Sequence, residues 1–153
     1  MIKGRPPRLG QIFQTYDPPL YFVTLCTIHR QKIGCLDGIH RAFEAYICRA
    51  RDEFDVAVGR YVMMPDHLHF FVRGGDNFNL PQWVNGLKRA ISVSLGASKK
   101  RPLWQPGFFD HILRNDESYM EKWKYVRENP VRAGLVERAH DWPYQGECVY
   151  RFH

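Results

Sequence analysis

The sequence predicts a single α+β domain, and three observations support this prediction. The length of 153 residues suits one domain that buries its own core. Segments with the two-residue alternation of strands are interleaved with segments that have the 3.6-residue period of helices. No internal repeat, low-complexity tract or interdomain linker interrupts the chain. We expect a basic, extended N-terminal arm over residues 1–19, which is rich in Pro, Gly and Arg, and one folded domain over residues 20–153.

Four segments have the composition of strands. Tyr21–Ile28 is rich in β-branched and aromatic residues, which favours a strand. Phe54–Met64 is the second predicted strand, and Pro65-Asp66 forms a tight turn after it. The third strand alternates apolar residues with His67 and His69, and it ends at Gly74-Gly75. Phe108–Leu113 is the fourth.

Three segments have the periodicity of amphipathic helices. The first covers about Asp37–Glu53, and the second begins after Asn79, whose side chain can cap it. The third runs from Glu117 towards Asn129, with Asn115 or Asp116 as its cap, and Pro130 ends it. After it we expect a helical turn over Val131–Ala133 and an irregular aromatic stretch over Trp142–Tyr144.

The order of these elements is β-α-β-β-α-β-α. Its first six elements match the split βαβ, or ferredoxin-like, plan, and the last helix is an addition to that core. In this plan the first and third strands are central. We therefore expect His67 and His69 to lie in the middle of the sheet.

The charge of the chain favours a polyanionic partner. Lys and Arg number 22 against 16 Asp and Glu, a net charge of +6 with an isoelectric point near 9.3. Between Asn79 and Arg114 there are six basic residues and a single acid, Asp110. Clustered basic charge is typical of surfaces that bind nucleic acid or an anionic membrane. A charged content of 25% with 14% aromatics is typical of a globular protein and not of a disordered one.

The expected compartment is the cytoplasm. No apolar run approaches the roughly 18 residues that a membrane span needs, and the N-terminus lacks the apolar region of a secretory signal. The cysteines show no CxxC spacing, and we expect reduced thiols in place of disulfides or zinc ligands. The four cysteines are Cys26, Cys35, Cys48 and Cys148.

The candidate site begins with His67 and His69. Residues two apart leave the same face of a strand, so the two imidazoles are close enough to share one metal ion. Two polar residues on a solvated face would have the same pattern. A third ligand can come from the third helix, where Tyr125 and Asn129 are four residues apart and share a face. By spacing alone, a tyrosine of the core is the better interpretation of Tyr125. Tyr119 lies about 240° around the helix from it and cannot share the face of Asn129.

Three longer segments carry a family resemblance. The runs MPDHLHFFV, WQPGFFDHILRNDESYMEKWKYVRENPVRAGLV and DWPY resemble the REP-associated tyrosine transposases, a branch of the single-tyrosine HUH (His-hydrophobic-His) transposases. The resemblance spans about residues 20 to 145. It implies a metal-dependent endonuclease and strand transferase that acts on single-stranded DNA and has a ferredoxin-like core.

The resemblance also assigns roles to residues. His67 and His69 become metal ligands, Asn129 becomes the third ligand, and Tyr125 becomes the nucleophile that forms a 5′-phosphotyrosine. The implied cofactor is Mg²⁺ or Mn²⁺, and the implied partner is single-stranded or hairpin DNA like repetitive extragenic palindromes. The protein would act as a monomer or a homodimer. Because ligating imidazoles are neutral, we expect activity to fade below about pH 6.

Basic residues are the candidate DNA contacts. For any one of them a solvated face is the better interpretation, whereas together they favour DNA binding. We expect a structural role for His111, with a DNA contact left open. The candidate DNA contacts are Lys3, Arg5, Arg8, Lys88, Arg89, Arg114, Arg127 and Arg132.

Two other functions remain possible from the sequence. One is a non-catalytic ferredoxin-like nucleic-acid-binding module, and the other is a metal-dependent hydrolase in which Tyr125 is structural.

Overall fold

Five strands form one antiparallel sheet in the computed structural model, which describes residues 18–148. The sheet order is β4-β1-β3-β2-β5, so the first and third strands are central, as predicted. Of the predicted N-terminal arm, residues 1–17, with Lys3, Arg5 and Arg8, lie outside the described residues. The strands are β1 (Leu20–Cys26), β2 (Val56–Met64), β3 (His67–Gly74), β4 (Phe109–Leu113) and β5 (Gln145–Cys148).

Helices cover both faces of this sheet, and the predicted α+β class is confirmed. Two predicted caps are present. The Asn79 side chain accepts a hydrogen bond from the Gln82 amide at 3.0 Å, and the Asn115 side chain accepts one from the Ser118 amide at 2.8 Å. No helix within residues 18–148 is long and apolar enough to cross a membrane. The helices are α1 (Leu36–Glu53), α2 (Leu80–Ser94), α3 (Asp116–Arg127) and α4 (Asn129–Arg132).

The two faces of the sheet have separate cores, because side chains alternate between faces along each strand. On one face, residues such as Val23 and Phe70 pack with Phe43 of α1 and with the apolar side of α2. On the other face, Phe22 and Phe71 pack with α3. The histidines of β3 alternate with Leu68 and Phe70, so they lie on the α3 face.

The C-terminal part differs from the prediction, which expected an irregular aromatic stretch and no further strand. β5 pairs with β2, and just before it the Trp142 indole donates a hydrogen bond to the Met63 carbonyl at 2.9 Å. β5 has the sequence QGEC, which contains little of the β-branched and aromatic composition that predicts strands. The free edge of β2, and not local preference, determines this strand.

The predicted third helix and the helical turn after it are both present. α3 ends at Arg127, two residues before the predicted end, and α4 begins at Asn129, two residues before the predicted turn. Pro130 explains the break because it has no N–H to donate to the carbonyl four residues earlier. In the first turn of α4 that N–H is not needed, and proline is tolerated there.

Candidate metal and nucleophile site

The pairing of β3 places His67 and His69 side by side. Their ring centroids are 4.7 Å apart and the ring planes are inclined at 75°. β3 is hydrogen-bonded to β1 and β2, with His69 opposite Thr24 on one side and Val62 on the other. The sheet therefore holds the two imidazoles together on one face, as the two-residue spacing predicts.

Each imidazole is anchored through its Nδ1 atom. His69 Nδ1 lies 2.8 Å from Thr24 Oγ1, and His67 Nδ1 donates to the Asp66 carboxylate at 2.7 Å. Arg30 forms an ion pair with the same carboxylate at 3.1 Å. The hydrogen bonds among residues 18–148 leave Nε2 of both rings unused. Metal-binding histidines typically have this arrangement, with a carboxylate on one ring nitrogen and the other nitrogen available.

Both histidines have a lowered pKa. Burial is the main cause for His67, although the hydrogen bond to Asp66 opposes it. Burial also lowers the pKa of His69 to about 3, with His67 and Lys122 adding positive charge nearby. Neutral imidazole is the form that binds a metal. We therefore expect these ligands to stay neutral to a lower pH than the value near 6 that ordinary histidines would give.

Tyr125 is exposed and Tyr119 is buried. Tyr119 is 2% exposed, and its ring centroid lies 4.4 Å from that of Phe71 in the sheet. Tyr125 is 65% exposed and lies outside the core that α3 forms with the sheet. Burial thus favours Tyr125 over Tyr119 as the reactive tyrosine, and it excludes the interpretation of Tyr125 as a core residue.

Tyr125 lines a cleft of about 260 Å³ between α3 and β4. His111 and Lys122 line the same cleft, and neither was among the predicted site residues. His111, predicted to be structural, is exposed and lies opposite Phe22 in the pairing of β1 with β4. Lys122 Nζ lies 5.3 Å from the centroid of the Phe22 ring, which stacks on His69 at 5.2 Å. The cleft of Tyr125 therefore adjoins the histidine pair through Phe22.

Asn129 is connected to Tyr125 by Arg132. The Arg132 guanidinium donates to Asn129 Oδ1 and, at 2.6 Å, to the Tyr125 carbonyl. Its central carbon lies 4.0 Å from the centroid of the Tyr125 ring. The two predicted residues are thus brought together across the break between α3 and α4, and not by one helical face. The only signal for this in the sequence is the three-residue spacing of Asn129 and Arg132.

The donor set is suited to a divalent ion. It offers two neutral imidazoles with unused Nε2 atoms and, on Asn129, an amide oxygen that keeps a second lone pair beside its bond to Arg132. Within residues 18–148 there is no cluster of three or more His, Cys, Asp or Glu side chains suited to a metal. Asn129 stays the third ligand that the family resemblance implies.

The predicted DNA contacts differ in their surroundings. Arg89, Arg114 and Arg127 are exposed, with Arg127 lying 3.9 Å from Glu128. Lys88 is half-buried, and its ammonium donates to the Gln105 and Gly107 carbonyls at 3.0 and 2.9 Å. Burial lowers the pKa of Lys88. Its charge is used to hold the loop before β4.

A larger groove of about 790 Å³ lies along α3 and β5. Arg60 crosses it, with its guanidinium carbon 4.8 Å from the Trp123 ring centroid and its Nε 3.7 Å from Glu147. Arg127 and Arg138 also line it, but Glu128, Glu137 and Glu147 offset their charge. This groove includes neither histidine of the pair nor Tyr125.

The chain is similar to known proteins. The chain is 28% identical over 101 residues to a REP-associated tyrosine transposase of Escherichia coli (strain K12), which is 64% of this chain and 58% of that protein. A Haemophilus influenzae protein provisionally named as a REP-associated tyrosine transposase is 28% identical over 139 residues, covering 82% of this chain and 77% of the relative. The resemblance predicted from the sequence is confirmed.

A solved structure shares the fold. A REP-associated tyrosine transposase bound to a REP hairpin superposes with a TM-score of 0.71 at 22% identity, over 83% of this chain and 75% of that chain. The family model described as "Transposase IS200 like" matches residues 19–129, which is more than half of the chain. The chain therefore belongs to the IS200-like transposase family.

Proposed function

We propose that this protein is a metal-dependent endonuclease and strand transferase that cleaves and rejoins hairpin-forming single-stranded DNA. The observation that carries the proposal is the exposed Tyr125 in a cleft that adjoins the His67 and His69 pair through Phe22. Membership of a transposase family supports a DNA substrate. A chain that acts on DNA in this way works in the cytoplasm, where we place it.

Tyr125 is the nucleophile in this proposal. Its phenolic oxygen attacks a phosphodiester phosphorus, so that a P–O bond to tyrosine forms and the bond to the 3′ oxygen breaks. The phenol gives up its proton, and the departing 3′ oxygen takes one up. The 5′-phosphotyrosine conserves the energy of the broken bond, and attack by another 3′-OH rejoins DNA without ATP.

The two imidazoles and the Asn129 amide would hold the divalent cation. When bound, the cation supplies Lewis-acid polarisation of a non-bridging phosphate oxygen. Asp66 and Thr24 keep the imidazoles oriented through their Nδ1 atoms. Imidazole ligands suit Mn²⁺ better than Mg²⁺, so we expect tighter binding of Mn²⁺ even if Mg²⁺ is the cellular ion.

Hairpin DNA is the proposed substrate. The relative of known structure is bound to a REP hairpin, and the net charge of +6 on this chain favours such a partner. Exposed arginines, including Arg114 and Arg127, would contact phosphates. We propose a monomer or a homodimer as the active form.

The test uses labelled single-stranded oligonucleotides that contain hairpins copied from palindromic repeats of the source genome. With Mn²⁺ or Mg²⁺, wild-type protein should give a covalent protein–DNA band on a denaturing gel. Tyr125→Phe should lose the band, and Tyr119→Phe is the matched control that keeps it. His67→Ala and His69→Ala should lose cleavage while hairpin affinity stays within a few fold.

Each alternative has its own outcome in this assay. Cleavage that survives Tyr125→Phe would indicate a hydrolase that uses a bound water. Hairpin binding without cleavage under either metal would indicate a non-catalytic nucleic-acid-binding module. Loss of the band in Tyr119→Phe alone would assign the nucleophile to the buried tyrosine.

A further inference from the structure

We propose that Lys122 is a further catalytic residue, whose ammonium holds the non-bridging oxygens of the scissile phosphate between Tyr125 and the histidine pair. This inference rests on the proposed function, because it names a group that would touch the same phosphate. The predicted site consists of metal ligands and a nucleophile, and Lys122 would add a positively charged side chain to it.

Lys122 lies between the cleft of Tyr125 and the histidine pair. Lys122 precedes Tyr125 by three residues on α3, so the two side chains leave neighbouring parts of one helical face. Both line the cleft of about 260 Å³ between α3 and β4. On its other side Lys122 reaches Phe22, whose ring stacks on His69 at 5.2 Å. Lys122 is therefore the side chain that links the cleft of the nucleophile to the histidine pair.

The charge of Lys122 has no ion-pair partner within the described part of the fold. Among residues 18–148, no carboxylate lies within 4.0 Å of its ammonium, which packs over the face of Phe22. The other cations near His69 are engaged. Arg30 pairs with Asp66, and Arg132 donates to Asn129 and to the Tyr125 carbonyl.

A lysine at this position would stabilise the charge that develops on the phosphate during the reaction. Attack on a phosphodiester concentrates negative charge on the non-bridging oxygens, and a fixed cation beside them lowers the barrier. Lysine acts as a compact point charge towards phosphate. The side chain is half-buried, and its charge therefore acts more strongly than it would in bulk water. Lys122 keeps its proton throughout, and the bonds made and broken are those given above for Tyr125.

The kinetic test compares Lys122→Gln with Lys124→Gln. Lys124 is an exposed lysine of the same helix, about 200° around it from Lys122, and it is the matched control. In single-turnover adduct formation we expect Lys122→Gln to be slower by about 100- to 1,000-fold, the usual effect of removing one preorganised charge-stabilising donor. Lys124→Gln should stay within a few fold, and Lys122→Arg should recover part of the rate.

A binding test separates this inference from the proposed function. In the Tyr125→Phe background, each linkage beside the hairpin is replaced in turn by an uncharged methylphosphonate, and affinity is measured by fluorescence anisotropy. At one linkage, the methylphosphonate replacement should weaken binding when Lys122 is present and should have little effect in Lys122→Gln. This coupling is measurable whether or not the wild-type protein cleaves.

The two failures are distinguishable. Adduct formation that persists in Tyr125→Phe would overturn the proposed function. A wild-type rate in Lys122→Gln, or the absence of any linkage whose charge is coupled to Lys122, would overturn the inference about this lysine. Melting temperatures of the variants show whether a loss of adduct formation comes from unfolding. If it does, the coupling between Lys122 and the linkage charge, measured at equal concentrations of folded protein, decides whether Lys122 contacts the phosphate.

Discussion

The guanidinium carbon of Arg132 lies 4.0 Å from the centroid of the Tyr125 ring. The same guanidinium donates to the Tyr125 carbonyl and to Asn129 Oδ1. One side chain of α4 therefore fixes both the ring that is proposed to attack phosphorus and the amide that is proposed to bind the metal.

The first prediction concerns this arginine. Arg132→Gln should slow adduct formation by about 10- to 100-fold, because the tyrosine ring loses the planar cation that packs on it and the amide loses its donor. Arg132→Lys should recover little, since a lysine cannot stack and donate in the same fork geometry. Arg127→Gln, at the exposed end of α3, is the control and should change hairpin affinity more than rate. Equal rates for wild type and Arg132→Gln would contradict a positioning role.

The second prediction concerns the carboxylate on His67. Asp66→Asn should weaken Mn²⁺ binding to the DNA-free protein by about 10- to 100-fold, because the acceptor on the imidazole loses the negative charge that makes the ring a stronger ligand. Calorimetric titration with Mn²⁺ measures the effect. Asp76→Asn is the control, since Asp76 is exposed and lies beyond the other end of β3. Unchanged Mn²⁺ affinity in Asp66→Asn would show that this hydrogen bond does not serve the metal.

The third prediction follows from the lowered pKa of His69. In the unfolded chain an ordinary histidine takes up a proton near pH 6.5, whereas burial lowers the pKa of His69 in the folded state to about 3. The unfolded state therefore binds more protons between these values, and the free energy of unfolding falls as the pH is lowered through that window. At pH 5, proton uptake by His69 in the unfolded chain should lower the free energy of unfolding by about 2 kcal/mol.

Urea unfolding of metal-free protein at pH 7 and pH 5 tests this. His69→Gln should lose less stability than wild type over the same interval, whatever its stability at pH 7. If both proteins lose the same amount, His69 does not titrate as its burial implies. His140→Gln is the control, because His140 is an exposed histidine.

The fourth prediction separates the two tyrosines of α3 by stability. Tyr119→Ala should cost about 3 to 5 kcal/mol of unfolding free energy, because the ring is buried against Phe71. Tyr125→Ala should stay within about 1 kcal/mol, because the ring is mostly exposed and loses chiefly its contact with Arg132. Urea denaturation measures both. A large loss in Tyr125→Ala would mean that this ring supports the fold.

The fifth prediction separates two adjacent basic residues of α2. Lys88→Met should lower the free energy of unfolding by about 1 to 3 kcal/mol, because two backbone carbonyls lose a charged donor. Arg89→Met should leave stability nearly unchanged and weaken hairpin binding, most clearly at low salt. Paired urea and anisotropy measurements check this. The opposite pattern would show that Lys88 is a DNA contact and Arg89 a structural residue.

Most of the fold could be predicted because the responsible patterns are local. Strand-forming composition predicted β1 to β4, and the Asn79 cap lies immediately before its helix. β5 could not be predicted in this way, because the sequence QGEC pairs only where β2 offers a free edge. The end of the third helix follows from Pro130, and the helical turn after it was also predicted, with bounds that differ by two residues.

The site could be predicted only in part. The spacing of His67 and His69 is sufficient to place both on one face, and the structure confirms this. Spacing alone did not separate Tyr125 from a core tyrosine; the family resemblance did, and burial supports it. Lys122 and His111 were missed because their relation to the site depends on how α3 and β4 pack around β1, which no local pattern contains.

The double pairing of β3 has a consequence for motion. Its backbone amides are held by ladders on both sides, so they should be among the slowest in the protein to exchange with deuterium. α3 and α4 meet at a break and present their reactive groups at the surface. The imidazole pair therefore lies on a strand that is held on both sides, whereas Tyr125 lies exposed on a helix outside the sheet.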